Sequence, residues 1–297
     1  MKGRVLALLA AFSATLIYGV NYTIAKDVMP TYIKPYGFII LRVFGALILF
    51  WILGLFVKTE KIAKKDFITI FFAALFGAAL NMLTFFKGLS LTTPINASVI
   101  MIIGPIIVFI LSVVFLKEKL IKRRIIGIIL GLIGALVLII YGKSTSLNAP
   151  NIFLGNIYVF LHATFYAVYL IIIKTLINKY NPINLMKWVY LFGMIIVIPF
   201  GYHEFIAINW SAMPQFIIYK VLFVVIFTTF FTYLFNILAI AKLKPTTVAS
   251  FIYLQPVVAT VFSLILKSDE LSTIKIISTV IIFLGVYLVS KPVKQPI

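Results

Sequence analysis

The sequence predicts an all-α integral membrane protein with ten transmembrane helices arranged as two inverted five-helix repeats. Three observations carry this prediction. The 297 residues are 63% apolar and only 11% charged, with a mean hydropathy of +1.18. A soluble domain carries roughly 25% charged and about 45–50% apolar residues. A surface this poor in charge would turn large apolar patches toward water. Next, apolar stretches close to the ~20 residues that cross a bilayer recur along the whole chain. Lastly, the second half of the chain repeats the order of features in the first.

Taken in order, the stretches are 5–25, 33–57, 67–87, 94–116, 124–141, 152–173, 184–202, 216–239, 245–266 and 272–290. The first follows Lys2 and Arg4, and Met1–Ala14 also has the outline of a secretion signal. Its apolar run continues through Ile24, longer than a signal core, so it reads as a span. The second holds Arg42, the third Asn81, and the fourth Pro105. The fifth is short but nearly pure Ile, Leu and Gly, and the sixth holds His162. The seventh and eighth carry Lys187 and Lys220 near their ends, where long side chains snorkel to the headgroups. The ninth holds Pro256, and the tenth closes the chain. The connections are too short for a soluble domain.

There are 26 Lys and Arg against 7 Asp and Glu, a net charge of +19. In a soluble protein that balance would suggest nucleic acid. Here the loops, taken alternately from the N-terminus, hold 17 basic residues on one side and 6 on the other. That bias sets orientation, with both termini cytoplasmic in a plasma or inner membrane. It also accounts for the charge without a nucleic-acid partner.

Internal self-matching comes next. A shift of 148 residues lays the first two spans on the sixth and seventh: Tyr18 meets Tyr166, Lys26 meets Lys174, and Gly45 meets Gly193. A shift of 151 lays spans three to five on eight to ten: Pro94 meets Pro245, Pro105 meets Pro256, and Gly134 meets Gly285. The halves divide as 1–145 and 146–297. Five spans is an odd number, so the halves must lie in the membrane with opposite orientation. Inverted repeats are a transporter architecture, with the solute site near the midplane between them.

Tyr18-Gly-Val-Asn-Tyr22, Leu41-Arg42, Phe85-Phe86 with Pro94 and Ala97, and Pro105 with Phe115–Leu120, taken in this order, resemble EamA-type members of the drug/metabolite transporter superfamily. Tyr18-Gly-Val-Asn-Tyr22 is similar to the family's Trp-Gly-x-Asn-Phe in the first span, and Leu41-Arg42 to the Arg of the second. Phe85-Phe86-x-Gly-Leu with Pro94 and Ala97 resembles the third-to-fourth turn. Pro105 with Phe115-Leu-Lys-Glu-Lys-Leu120 resembles the end of the fourth span. Gly127 and Gly134 fit the fifth, and Pro245, Ala249-Ser250, Tyr253-Leu-Gln-Pro256 and Gly285 repeat the pattern. Tyr18 departs from the usual Trp, and Gln255 stands where Glu often precedes the Pro. The resemblance implies a ten-helix carrier for small organic solutes such as amino acids, often an exporter, and leaves the solute open.

The residues that would carry transport are the polar ones at membrane depth. Pro105 and Pro256 fall near the middle of matched spans, where each removes a backbone hydrogen bond and would free the carbonyl of Met101 or Ile252. Matched interruptions point to a transport site or to a hinge. Tyr18, Asn21, Asn81, Tyr166, Asn236, Tyr253 and Gln255, with Ser98, are either helix-to-helix glue or cavity lining. His162 is a candidate proton switch or a hydrogen-bonded core residue. Arg42 and Lys87 either snorkel outward or bind the carboxylate or phosphate of a solute. Every Asp and Glu falls at a span end or in a loop, with Glu118 set to pair with nearby bases.

The inventory argues against an enzyme. Cysteine is absent, so disulfides, zinc thiolates and a cysteine nucleophile are excluded. No carboxylate at membrane depth is available to a metal, and no Gly-x-Ser-x-Gly, His-Glu-x-x-His or Walker loop occurs. No metal or cofactor is expected. The partners are the bilayer and a small-molecule solute, with a channel-like facilitator as the other transport reading. Gly127, Gly131 and Gly134 form a small-residue face, suited to packing inside the chain or to a homodimer.

Overall fold

The structure is a computed structural model that describes residues 2–58, 60–92, 97, 100–118, 120–141, 150–265 and 273–291. Their secondary structure is helical, with no strand among the described residues. Helices α1 (Lys2–Val28), α2 (Pro35–Gly54), α3 (Asp66–Leu91), α4 (Gly104–Leu116) and α5 (Lys122–Tyr141) come from the first half. From the second come α6 (Ile152–Ile177), α7 (Pro182–Ile206), α8 (Gln215–Lys242), α9 (residues 245–265) and α10 (Thr273–Ser290). Six of these, α1, α2, α3, α6, α7 and α8, are long and apolar enough to cross a membrane. At 1.5 Å per residue, even the 20 residues of α2 reach the ~30 Å of a hydrocarbon core.

Local chemistry sets the helix ends. Pro35 and Pro182 open α2 and α7, where a missing N–H removes nothing the helix needs. Asn151 and Asn181 cap α6 and α7 by accepting from Leu154 N–H at 3.0 Å and Ile183 N–H at 2.9 Å. Glu204 in α7 accepts from Tyr36 and Gly37 N–H at 2.7 and 3.0 Å, which puts a carboxylate on the N-terminus of α2. At its end, α4 stops on Lys117 in the left-handed region, φ 50°, and Glu118 N–H closes back on Ser112 C=O at 3.1 Å.

Two helices are interrupted in matched places. Leu75–Leu80 of α3 and Val224–Phe231 of α8 are π-helical, and the residues that follow, Asn81 and Thr232, are 151 apart. A π-turn widens the helix and releases carbonyls from the i→i−4 ladder. The fourth and ninth helices break in a related way. A turn at Ile102–Ile103 precedes α4, and the 3₁₀ turn Phe251–Leu254 interrupts α9. Pro105 and Pro256 are each the second residue of the α-helix that follows, so they start a helical segment and do not kink a continuous one. Nor is the Ile252 carbonyl left free, because it accepts from the Gln255 N–H.

Helices pack as α1 on α8 and α9, α6 on α3 and α4, α2 on α7, α4 on α9 and α5 on α10. Exchanging the halves turns this set into itself. Helix α5 packs closely on α10 and α9: a Cβ on Gly127 would lie 2.7 Å from the Gly285 carbonyl of α10, and one on Gly131 2.4 Å from the Tyr253 ring of α9. The glycine face offered by the sequence is therefore covered inside the chain by α10 and Tyr253, and does not present itself to a second copy. The outer surface is apolar, with Leu6, Phe115 and Phe153 more than 60% exposed, as lipid contact requires. Lys187 stands over the Trp51 ring at 4.7 Å, and Trp51 meets Trp188 edge-on.

Candidate functional site

The polar side chains inside the bundle converge on one cavity between the two halves. It holds about 710 Å³ of atom-free space, counted out through its open mouth. Eight of the expected residues line it: Tyr18 and Asn21 of α1, Arg42 of α2, Asn81 of α3, His162 and Tyr166 of α6, Asn236 of α8 and Gln255 of α9.

The widened turns of α3 and α8 build its polar wall. Asn81 follows the α3 π-turn and donates from Nδ2 to the Tyr233 hydroxyl at 3.2 Å. That hydroxyl donates at 2.6 Å to the Gly77 carbonyl inside the turn. The Asn81 carbonyl lies 2.8 Å from His162 Nδ1. A carbonyl only accepts, so Nδ1 carries the proton and donates. Asn81 thus ties α3, α6 and α8 together at the cavity edge. Across from it, Tyr22 donates to Gln255 Oε1 at 2.9 Å and joins α1 to α9.

Arg42 is 3% exposed. Its Nε donates to Thr229 Oγ1 at 2.8 Å, and its guanidinium carbon stands 4.1 Å above the centre of the Phe86 ring. The Thr229 hydroxyl in turn donates a hydrogen bond to Val224 C=O at 2.9 Å, five residues back in the α8 π-turn. Nη1 has no hydrogen-bond partner, and none of the described acids pairs with Arg42. The aromatic wall runs Tyr22–Phe85–His162–Tyr166, with ring centroids 5.7, 4.7 and 6.3 Å apart.

Two expected site residues stand elsewhere. Lys87 lies outside the cavity lining, with Nζ 5.7 Å over the Tyr36 ring. Tyr253 is fully buried against Gly131 and also outside it. Ser98, Pro94, Asp269 and Glu270 lie outside the described residues. Glu118 pairs with Arg124 at 2.9 Å and accepts from Thr246 at 3.2 Å, a buried link between the halves. Lining residues that the sequence reading passed over include Thr15, Tyr22, Phe85, Phe86, Thr228 and Tyr233. A helical face at Thr15, Tyr18 and Tyr22 was there to be read from spacing.

Lys26 and Lys174 form a second matched pair. Lys26 of α1 donates to the carbonyls of Leu89 at 2.8 Å and Thr92 at 3.1 Å, closing the end of α3. Lys174 of α6 donates to those of Ile240 at 2.6 Å and Leu243 at 3.2 Å, closing the end of α8. Each is a cation on the last carbonyls of a helix, where the dipole favours it.

Comparison with known proteins adds to this geometry. A family model described as the EamA-like transporter family matches residues 5–140 and again 153–291. An uncharacterized transporter of Archaeoglobus fulgidus is 27% identical over 288 residues, covering 97% of this chain and 98% of its own. The uncharacterized transporter YyaM of Bacillus subtilis is 24% identical over 242 residues, covering 81% and 78%. A solved crystal structure superposes with a TM-score of 0.76 at 16% identity, covering 96% of this chain and 97% of that one, a likeness of fold.

Proposed function

The chain belongs to the EamA-like transporter family and is a multi-pass membrane transporter; from that premise we propose that it is a secondary carrier exporting small organic metabolites, such as amino acids or related compounds. In this reading, ten helices cross the plasma or inner membrane with both termini cytoplasmic. Residues 1–145 and 146–297 are two inverted halves that rock about a shared site by alternating access.

The observation that carries the reading is the polar cavity, whose described lining comes from both halves and from the middle of their helices. Packing that maps onto itself when the halves are exchanged supports it. So do the matched breaks before Pro105 and Pro256, since interrupted helices at equivalent places border the sites of inverted-repeat carriers. No described acid lines the cavity, which leaves exchange, facilitated diffusion or a His162-linked step as the coupling.

Counterflow in proteoliposomes tests it. Vesicles preloaded with unlabelled solute should take up labelled solute faster than empty vesicles, because each carrier that brings unlabelled solute out presents its site again to the labelled solute outside. A solute that enters with no acceleration from preloading would count against alternating access.

A further inference from the structure

Arg42 presents a chemical problem that the chain does not solve by itself. A guanidinium at 3% exposure has lost most of its water, and burial of a charge is unfavourable unless the charge is paired. The Phe86 ring and one hydroxyl, Thr229, stabilise it in part. Nη1 remains without an acceptor. The five described acids are engaged elsewhere: Asp27 with Lys220, Glu60 with the Asn181 N–H, Asp66 with Lys179, Glu118 with Arg124 and Glu204 with the start of α2. Apart from the titratable His162, Arg42 is the charged group among the described cavity-lining residues.

We propose that the cavity takes a carboxylate anion with an apolar body, and that Arg42 is the group that binds its carboxylate. This rests on the carrier reading for the cavity's role and names the solute class it would take. A planar guanidinium matches a carboxylate. A phosphate carries nearly two charges and three acceptor oxygens, more than one guanidinium with Nε already engaged can meet. A cation is disfavoured, because Arg42 repels it and no described carboxylate lines the site. The body is fixed by what surrounds the charge: Tyr22, Met82, Phe85, Phe86, Met101 and Tyr166 offer apolar and aromatic faces. Asn21 and Thr228 line the same cavity, their Oδ1 and Oγ1 have no hydrogen-bond partner, and they suit a hydroxyl or amide carried on the solute.

The test uses three small molecules that share a benzyl body: phenylacetate, phenylacetamide and phenethylamine. Binding to the purified full-length protein in nanodiscs is measured by calorimetry and thermal shift. Phenylacetate should bind at least about tenfold more tightly than either neighbour, and Arg42→Gln should weaken it about ten- to a hundredfold while leaving the amide unchanged. Without ligand, Arg42→Gln should melt no lower than the parent, since it removes a buried charge that lacks a counter-ion. Equal binding of the three, preference for the amine, absence of binding, or an Arg42→Gln variant that keeps phenylacetate affinity would each overturn the proposal. The matched series on the unaltered protein decides the headgroup whether or not the variant folds. Phenylacetate binding through Arg42 without counterflow would retire the carrier reading and leave the anion site standing. Counterflow of neutral solutes with no preference for phenylacetate would do the reverse.

Discussion

The two halves share a scaffold and differ in the chemistry they bring to the cavity. Each has a π-turn in its third helix, a proline as the second residue of a helix that starts after a break, and a lysine closing the end of that third helix. At the cavity the match thins: Tyr18 and Tyr166 are matched and both line it, but the other polar lining groups differ. Arg42 of the first half stands where the second half has Tyr190, and Asn81 stands opposite Thr232. The second half contributes His162, Tyr233, Asn236 and Gln255, whose counterparts Ala14, Met82, Phe85 and Gly104 are apolar or lack a side chain. The proposed rocking of the halves would constrain backbone breaks and helix contacts in both alike. A solute has no such symmetry, so the groups that face it are free to diverge.

The strongest way to break the shared scaffold is at the α5–α10 contact. Gly134 and Gly285 are matched, but their surroundings are not equal. A Cβ on Gly285 would lie 2.6 Å from Gly131 N and 2.7 Å from the Gly127 carbonyl, both backbone. On Gly134 it would meet the Ile282 side chain at 2.9 Å and the Ser278 carbonyl at 3.0 Å. Backbone cannot step aside without moving a helix. Gly285→Ala should therefore destabilise by about 3 kcal/mol or more and Gly134→Ala by about 1–2 kcal/mol, read as melting temperature in detergent. Equal losses would mean that α10 shifts to absorb either change.

The lysine caps give the next largest effect and test the symmetry directly. Lys26→Met and Lys174→Met each remove a cation from helix-end carbonyls while keeping the apolar stem. Each should lower stability by about 1–3 kcal/mol, with Lys26 slightly the more costly because it also reaches the Ser90 carbonyl at 3.4 Å. A loss confined to one of them would show that the matched geometry is not matched in energy.

Hydrocarbon explains how much could be read in advance. It penalises polar groups so heavily that Asn21, Arg42, Asn81, His162, Asn236 and Gln255 stand out from a bare sequence, and all six line the cavity. Threonine and tyrosine are harder to read. Thr15 and Thr84 return their hydroxyls to carbonyls of their own helix, so a threonine in a span says little about a cavity. Spacing along one helix also did not reveal that Lys87 stands over Tyr36, or that Tyr253 is buried against Gly131. The π-turns were not legible at all. They depend on groups far away in the chain, as when Tyr233 takes up the Gly77 carbonyl across 156 residues.

The prolines separate motion from stability. As second residues of the α-helical segments that follow the breaks, they displace no hydrogen bond those segments need. Pro105→Ala and Pro256→Ala should change melting by less than about 1 kcal/mol. If the preceding turns are where the halves flex, counterflow rates should nonetheless fall severalfold in both variants. Unchanged rates in both would remove the hinge and leave the breaks as a packing feature.

The smallest effect is expected at Tyr190, and it sharpens the comparison most. Arg42 and Tyr190 occupy matched positions, and each buries a polar atom without a hydrogen-bond partner, Nη1 in one and the hydroxyl in the other. They differ in what lies in front of that atom. Arg42 lines the cavity, whereas Tyr190 is outside the lining and sits between the Phe50 ring at 5.2 Å and the Tyr233 ring at 5.5 Å. An unpartnered hydroxyl with no solute to meet it only costs stability. Tyr190→Phe should then be neutral to about 1 kcal/mol stabilising, with counterflow and solute preference unchanged. A Tyr190→Phe variant that lost transport while folding normally would show that the second half also contributes a polar contact at this depth, and that the asymmetry between the halves is smaller than the cavity lining implies.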